Sequence, residues 1–354
     1  MAKKALVIDD SALVRRFLSK ELQELGFEVD VAKDGEEGLN KALKENYDLI
    51  TLDIEMPKKD GLLVLEELMR EKPTRVIVVS SYAVENGEIA LKALDLGALT
   101  YITKPGGKSS IILDPQKIKE ELKEKVLDIM KISKLSLMKR KSQVKKKVEP
   151  FKVKDFKARD DSKYVLIGAS TGGPKLIETI AVSLPKDYPY PVCVVQHMPT
   201  SFTSKFAERL NSLSKIGVVE AKSGEVLMKG KMIIGKGGKH LHFRKNDDKI
   251  VIKLVPNSSG RFFVPSVDEM FFSALEVMEP RNIMAILLTG IGDDGADGMV
   301  ALKKAGAYTI AESEESATVY GMPKEAYVRG GTVKVLPFED ILKEIIKFGE
   351  QNGV

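Results

Sequence analysis

One cysteine, Cys193, occurs in 354 residues. A single thiol excludes an intramolecular disulfide framework and any metal cluster built from several cysteines. Long apolar runs are missing too: no stretch approaches the roughly 20 residues that a membrane-crossing helix needs. The start, MAKKALVIDD, reaches Asp9 and Asp10 directly after a short apolar run, so it does not fit a secretory signal. The expected compartment is the cytoplasm, without direct membrane insertion. Histidine is scarce, with three residues, so chemistry that needs an imidazole has few candidates. What is present is the balance of a globular chain, 43% hydrophobic and 30% charged, long enough for two domains with separate cores.

The net charge of +5 invites a nucleic-acid reading until it is located. Residues 1–130 carry a net −5, residues 131–159 a net +10, and residues 160–354 none. The excess therefore sits in one glycine-free segment without an apolar period, which reads as a solvated linker between two neutral or acidic domains. No nucleic-acid signature accompanies it, and no nucleic-acid partner is expected.

In the first domain, strand-like runs at 5–8, 27–31, 49–52, 75–79 and 100–103 alternate with helical patterns near 12–25, 35–45, 61–70 and 85–97, and a further amphipathic helix starts near Pro115. Five such units predict a flavodoxin-like α/β domain whose site lies at the C-terminal ends of parallel strands. The second domain repeats the alternation: strands at 163–167, 192–196, 284–288 and 308–311, and helices near 267–278 and 295–305. It is expected to be a doubly wound, mostly parallel α/β fold. Its middle, 217–255, has period-2 character and glycine-rich turns, which predicts an antiparallel edge or hairpin insertion, with Gly235 to Gly238 as a hairpin turn.

Asp9 and Asp10 follow the first strand, Asp53 ends the third, Ser80 the fourth, and Lys104 with Pro105 the fifth. All converge on one edge of the sheet. Three carboxylates there call for a counterion, and oxygen ligands suit a hard cation such as Mg²⁺. The ammonium and hydroxyl complete a site shaped for a phosphoryl group, with Asp53 placed to attack phosphorus. Asp9 or Asp10 alone is equally well read as a helix cap. Together with Met56-Pro57, Gly61 and Thr103-Lys104-Pro105, the constellation resembles a response-regulator receiver domain. The resemblance implies Asp53 as phosphoacceptor, Asp9, Asp10 and Asp53 around Mg²⁺, Ser80 and Lys104 as switch residues, and Tyr101 as an aromatic that changes rotamer or an ordinary half-buried strand tyrosine.

In the second domain, Gly168-Ala-Ser-Thr-Gly172 fits a nucleophile elbow, a serine on a tight turn between strand and helix, although such a turn also suits an anion. His197 follows the strand 192–196, and Asp293 and Asp294 follow the strand 284–288. Hydroxyl, imidazole and carboxylate at three strand ends are what serine activation needs. The chain order Ser, His, Asp differs from that of α/β-hydrolases. GASTGGP at 168–174, QHMP at 196–199, LTGIGDDGADGM at 288–299 and GMP at 321–323, behind a receiver, resemble the chemotaxis response-regulator methylesterase family. The resemblance implies a receiver over 1–125, a basic linker over 126–160 and a catalytic domain over 161–354. It also implies Ser170 as nucleophile, His197 as base, Asp294 as third member, and backbone donors at Thr171 and Ile291 for an oxyanion; Ile291 stands where the family more often has methionine.

Such an enzyme, a carboxylic ester hydrolase, removes methyl esters from glutamates, and deamidates glutamines, on the cytoplasmic helices of chemoreceptors. A chemotaxis histidine kinase phosphorylates its receiver, it needs no cofactor in the catalytic domain, and it is expected to be monomeric. Rival readings are a receiver-controlled serine hydrolase or peptidase with another acyl substrate, and a non-enzymatic signalling module. His240 and His242, at i and i+2, are assigned a surface or substrate-groove role rather than a metal. Cys193 reads as a buried apolar residue, and the stretch Arg261, Phe262, Val264 as unremarkable alternation.

Overall fold

The computed structural model describes residues 3–80, 86–104, 115–132, 162–258 and 260–350. They fall into two compact units, one within 1–147 and the other within 148–354. No described helix is long and apolar enough to cross a membrane.

In the first unit β1 (Lys3–Ile8), α1 (Ala12–Glu24), β2 (Phe27–Ala32), α2 (Gly35–Lys44), β3 (Leu49–Asp53), α3 (Gly61–Glu71), β4 (Val76–Ser80), α4 (Asn86–Asp95), β5 (Thr100–Thr103) and α5 (Pro115–Ile129) follow in strict alternation. The strands form one parallel sheet in the order β2-β1-β3-β4-β5. β3, β4 and β5 are buried along their whole length, as expected for strands covered on both faces. Ser11, Asp34 and Asp60 cap α1, α2 and α3 by accepting backbone N–H groups of their first turns. The direction of winding reverses between β1 and β3, so the ends of these two strands open a crevice.

The helix α5 runs beyond residue 125, and Val126, Ile129 and Ile132 are buried against the first unit. Arg75 secures this end: its guanidinium donates from Nε to the Ile129 carbonyl at 3.1 Å and from Nη2 to the Ile132 carbonyl at 2.5 Å. The remainder of the expected linker, 133–160, lies outside the described residues, as does Pro105.

The second unit contains β6 (Tyr164–Ala169), α6 (Gly173–Ser183), β7 (Val192–Gln196), α7 (Thr200–Leu213), β8 (Gly217–Glu220), β9 (Lys231–Ile234), β10 (His240–Asn246), β11 (Lys249–Val255), α8 (Val267–Val277), β12 (Ile283–Leu287), α9 (Ala296–Lys304), β13 (Tyr308–Glu312), α10 (Met322–Val328), β14 (Lys334–Leu336) and α11 (Phe338–Gly349). Seven strands make a parallel sheet in the order β14-β13-β12-β6-β7-β9-β8. Its winding reverses between β6 and β12, with β7 on the other side of β6, so the crevice opens beside the ends of these three strands.

The segment 217–255 contains the expected antiparallel hairpin, but its first part pairs differently. β8 and β9 extend the main sheet in parallel, with Gly217 opposite Lys231 and Val192 opposite Met232, and the antiparallel hairpin is confined to β10 and β11. Alternation shows that a strand is half buried, not which way its partner runs. Gly235 to Gly238 is accordingly the connection from β9 to β10 rather than a hairpin turn; the hairpin turns at Asp247 and Asp248.

Candidate functional site

The receiver crevice gathers what the sequence places there. Asp9 and Asp53 are buried and Asp10 is half exposed, and one oxygen from each lies within 4.8 Å of the others. Lys104 Nζ reaches Asp53 at 2.6 Å, Asp9 at 3.3 Å and Asp10 at 3.8 Å. One ammonium therefore faces three carboxylates. Burial, and with it the Asp9 charge, pushes Asp53 up to about 7 against the pull of Lys104, and burial also raises Asp9. Asp9 Oδ2 is buried and has no hydrogen-bond partner among the described residues. An orphaned carboxylate oxygen beside surplus negative charge fits a hard divalent cation such as Mg²⁺.

Ser80 ends β4 opposite Thr103, and its carbonyl accepts the Lys104 N–H at 2.8 Å. Tyr101 is buried, its hydroxyl pushed well above the usual phenol range by that burial. Lys125 Nζ lies 5.1 Å from the centre of its ring.

In the second unit the three apolar strands end where chemistry begins. β6 leads into the turn 170–172, and Gly172, at φ 84°, starts α6 with Pro174 in its first turn. A left-handed φ suits glycine, and a Cβ there would also lie 2.4 Å from Thr318 Oγ1. Ser170 is thus set at the head of the helix. Its N–H donates to the Thr289 carbonyl at 3.0 Å, and its carbonyl accepts from Gln196 Nε2 at 2.8 Å. Thr289 is itself held: Glu312 accepts its N–H at 2.7 Å, and its hydroxyl donates to the Thr171 carbonyl at 2.9 Å.

His197 follows β7, whose register sets Gln196 beside Ala169, and the His197 N–H donates to the Ala169 carbonyl at 3.0 Å. Its side chain, 6% exposed, donates from Nε2 to Asp294 Oδ2 at 2.7 Å. The Asp294 carboxylate also accepts Ser266 Oγ–H and Val267 N–H at 2.7 Å and Asp268 N–H at 3.1 Å. It therefore sits on the first turn of α8, where helix N–H groups favour an anion. Burial would push Asp294 up, but His197, Ser266 and Val267 outweigh it and hold the carboxyl below its usual range. Asp293 points elsewhere: it is 62% exposed and pairs with Arg329.

Gly290 packs against the serine, since a Cβ on it would lie 2.9 Å from Ser170 Cβ and 2.1 Å from Met322 Sδ. Ile291 follows it, 1% exposed. The Ser170 N–H is committed to the Thr289 carbonyl. Cys193 is buried mid-strand, and burial raises its thiol far above the usual value, as its apolar reading requires.

Two expectations are overturned. His240 is 1% exposed and does not face a groove: its Nδ1 accepts the Ser266 N–H and its Nε2 meets Asn257. The stretch at 261–264 is not bland, because Arg261 reaches Asp268 at 3.3 Å and Phe263 stacks on the His197 ring. Ser266 and Asp268 also belong to this site, since both donate to Asp294. Ser-Val-Asp-Glu at 266–269 has the capping-box pattern and Ser266 Oγ accepts the Glu269 N–H, so the start of α8 was visible in the sequence, but neither its aim at Asp294 nor the transfer of the Ser266 N–H to His240 was.

Comparison with known proteins agrees with this geometry. A family model described as CheB methylesterase matches residues 165–345, and one described as a response regulator receiver domain matches residues 5–114. A protein-glutamate methylesterase/protein-glutamine glutaminase of Carboxydothermus hydrogenoformans is 41% identical over 97% of this chain and 98% of its own length. One of Archaeoglobus fulgidus is 41% identical over 98% of each. The crystal structure of the Thermotoga maritima CheB methylesterase catalytic domain, at 37% identity and a TM-score of 0.51, covers 53% of this chain and 98% of that one. With its receiver domain, its doubly wound catalytic unit and this likeness along nearly its whole length, the chain belongs to the CheB methylesterase family.

Proposed function

We propose that this protein hydrolyses glutamate methyl esters, and deamidates glutamines, on methylated chemoreceptor helices, as a phosphorylation-controlled enzyme of chemotaxis adaptation in the cytoplasm. Ser170 is the nucleophile, His197 the base and Asp294 its orienting carboxylate. The observation that carries the reading is the 2.7 Å hydrogen bond from His197 Nε2 to Asp294, made at the strand end beside the Ser170 turn. Because Nε2–H is given to Asp294, Nδ1 is the nitrogen that takes the serine proton, the reverse of the usual serine-protease assignment. Ser170 Oγ attacks the side-chain carbonyl, and the Thr171 and Ile291 N–H groups support the oxyanion. The imidazolium, steadied by Asp294, protonates the departing methoxide oxygen or amide nitrogen, releasing methanol or ammonia. Water then attacks the acyl-enzyme, giving its proton to Nδ1, the bond from the acyl carbon to Ser170 Oγ breaks as the imidazolium returns that proton to Oγ, and the glutamate carboxylate leaves.

The receiver regulates this activity. Asp53 accepts a phosphoryl group from a chemotaxis histidine kinase, Asp9, Asp10 and Asp53 would hold Mg²⁺, and Lys104 and Ser80 contact the new anion, with Tyr101 responding. Bound there, the metal supplies charge neutralisation for phosphoryl transfer. The enzyme acts as a monomer. The deciding experiment measures methanol release from methylated receptor membranes by the parent and by Ser170→Ala. Release lost in the variant is expected; unchanged release would end the serine-hydrolase reading.

A further inference from the structure

Residues 260–266, which lead into α8, supply the side chain that covers the His197 ring. Phe263 lies face to face with the imidazole, ring centres 4.0 Å apart and planes 9° apart. Phe262 braces it edge-on at 4.9 Å and 89°. A hydrogen bond to Asp294 fixes one atom of His197 and by itself does not set the plane of its ring. The stacked phenyl restrains that plane, and its negative face also favours the imidazolium that forms during proton transfer.

The segment is anchored by the two histidines left without a role in the chemistry. His240 accepts the Ser266 N–H on Nδ1 at 3.1 Å, which assigns the proton to Nε2, and this N–H donates to Asn257 Oδ1 at 3.1 Å. Asn257 grips Arg261 by two backbone bonds, accepting its N–H at 3.1 Å and donating to its carbonyl at 2.8 Å. The Arg261 side chain reaches Asp268 at 3.3 Å and Glu269 at 3.6 Å, and Glu269 pairs with His242 at 2.8 Å. Ser266 closes the circuit through Asp294, which returns to His197.

We propose that Phe263 is a positioning residue for His197, and that His240, through Asn257, holds the Phe263 ring against the imidazole. This rests on the hydrolytic reading above. The full-length chain carrying Phe263→Leu, Phe263→Tyr or His240→Ala is assayed for methanol release with an acyl-phosphate donor present, beside the parent and Ser170→Ala. Phe263→Leu is expected to lower kcat on the order of tenfold with KM within about twofold, and Phe263→Tyr to restore kcat to within about twofold of the parent. In NMR spectra the His197 ring protons, shifted upfield by the stacked ring in the parent and in Phe263→Tyr, move downfield in Phe263→Leu and His240→Ala. Three results would overturn the proposal: kcat unchanged in Phe263→Leu, a rise in KM at constant kcat, or no shift of the His197 protons in the Leu variant. Parent-like His197 shifts in His240→Ala would overturn the anchoring role. Each of these leaves the hydrolytic reading intact provided Ser170→Ala is inactive; an active Ser170→Ala would overturn both.

Discussion

Replacing Asp294 by asparagine probes the catalytic geometry where most of its hydrogen bonds meet. Oδ2 accepts from His197 Nε2 and Val267 N–H, and Oδ1 from Ser266 Oγ and Asp268 N–H. An amide has one accepting oxygen and must turn. With its nitrogen at the Oδ2 position it would face two N–H donors. With its nitrogen at Oδ1 it keeps His197 and Val267, lets the Ser266 hydroxyl rotate to accept, and strands the Asp268 N–H alone. The second orientation costs less and preserves the His197 tautomer. What it removes is charge: a charge-assisted bond contributes about 1.5–3 kcal/mol and a neutral one about 1, so the imidazolium loses up to about 2 kcal/mol, or roughly 30-fold in kcat. The stranded N–H costs a further 1–3 kcal/mol or so of folding stability. The expected variant therefore releases methanol at about one-thirtieth of the parent rate, with KM little changed, and melts several degrees lower. Turnover within about twofold of the parent would refute the role given to the carboxylate. A loss as complete as that of Ser170→Ala, in a folded variant, would refute the orientation argument.

A methyl group at Gly290 would fall 2.9 Å from Ser170 Cβ, so Gly290→Ala is expected to displace the serine and lower kcat by about 100-fold, and normal turnover would show that the serine does not use this contact. Asp53→Asn is expected to abolish stimulation by acyl phosphates while sparing basal methanol release, and chelation of divalent cations to do the same in the parent; a fall in basal release on either treatment counts against the division of labour between the two units. Asp268 gives a pH test: burial, and then the Asp294 charge, raises it to about 6. A carboxyl whose folded value lies above its unfolded one binds its proton better when folded, so the penalty is absent below about pH 4 and complete above about pH 6, and amounts to roughly 3 kcal/mol. Thermal melting of the parent should accordingly fall between about pH 4 and pH 6, and Asp268→Asn should flatten that decline; parallel curves would show that Asp268 is not strained.

The residues that ended apolar runs were legible. Ser170, His197, Asp9 and Lys104 stand one position beyond their strands, Asp53 is the last residue of β3, and Asp294 lies in the loop after β12, behind strands whose continuous burial produces short apolar runs in the sequence. A parallel sheet collects such positions at one edge, so alternation alone predicts the gathering. Phe263, Ser266 and His240 follow no such rule. They come together because a backbone N–H at Ser266 meets an imidazole 26 residues earlier, and because the loop behind Asn257 folds back over β7 territory. Neither event leaves a period in the sequence. The His242 pairing with Glu269 is hidden for the same reason, since β10 and α8 are joined through a connection whose path the residue types do not encode.

Both units place carboxylates at the point where the sheet reverses its winding, yet they resolve the buried charge in opposite ways. In the receiver, three carboxylates share one ammonium and one oxygen of Asp9 remains orphaned, so the site is completed from outside and its state can change. In the catalytic unit, Asp294 is saturated by four donors, two of them backbone N–H groups at a helix start, and nothing further is needed to keep it ionised. A saturated carboxylate resists reorganisation when the imidazolium forms beside it, which is the property electrostatic preorganisation requires. An unsaturated cluster does the reverse, since its balance shifts when a cation or a phosphoryl group arrives. On the proposed reading, one architectural position thus serves as a fixed catalytic support in one unit and as an adjustable switch in the other, and the number of donors around the carboxylate decides which.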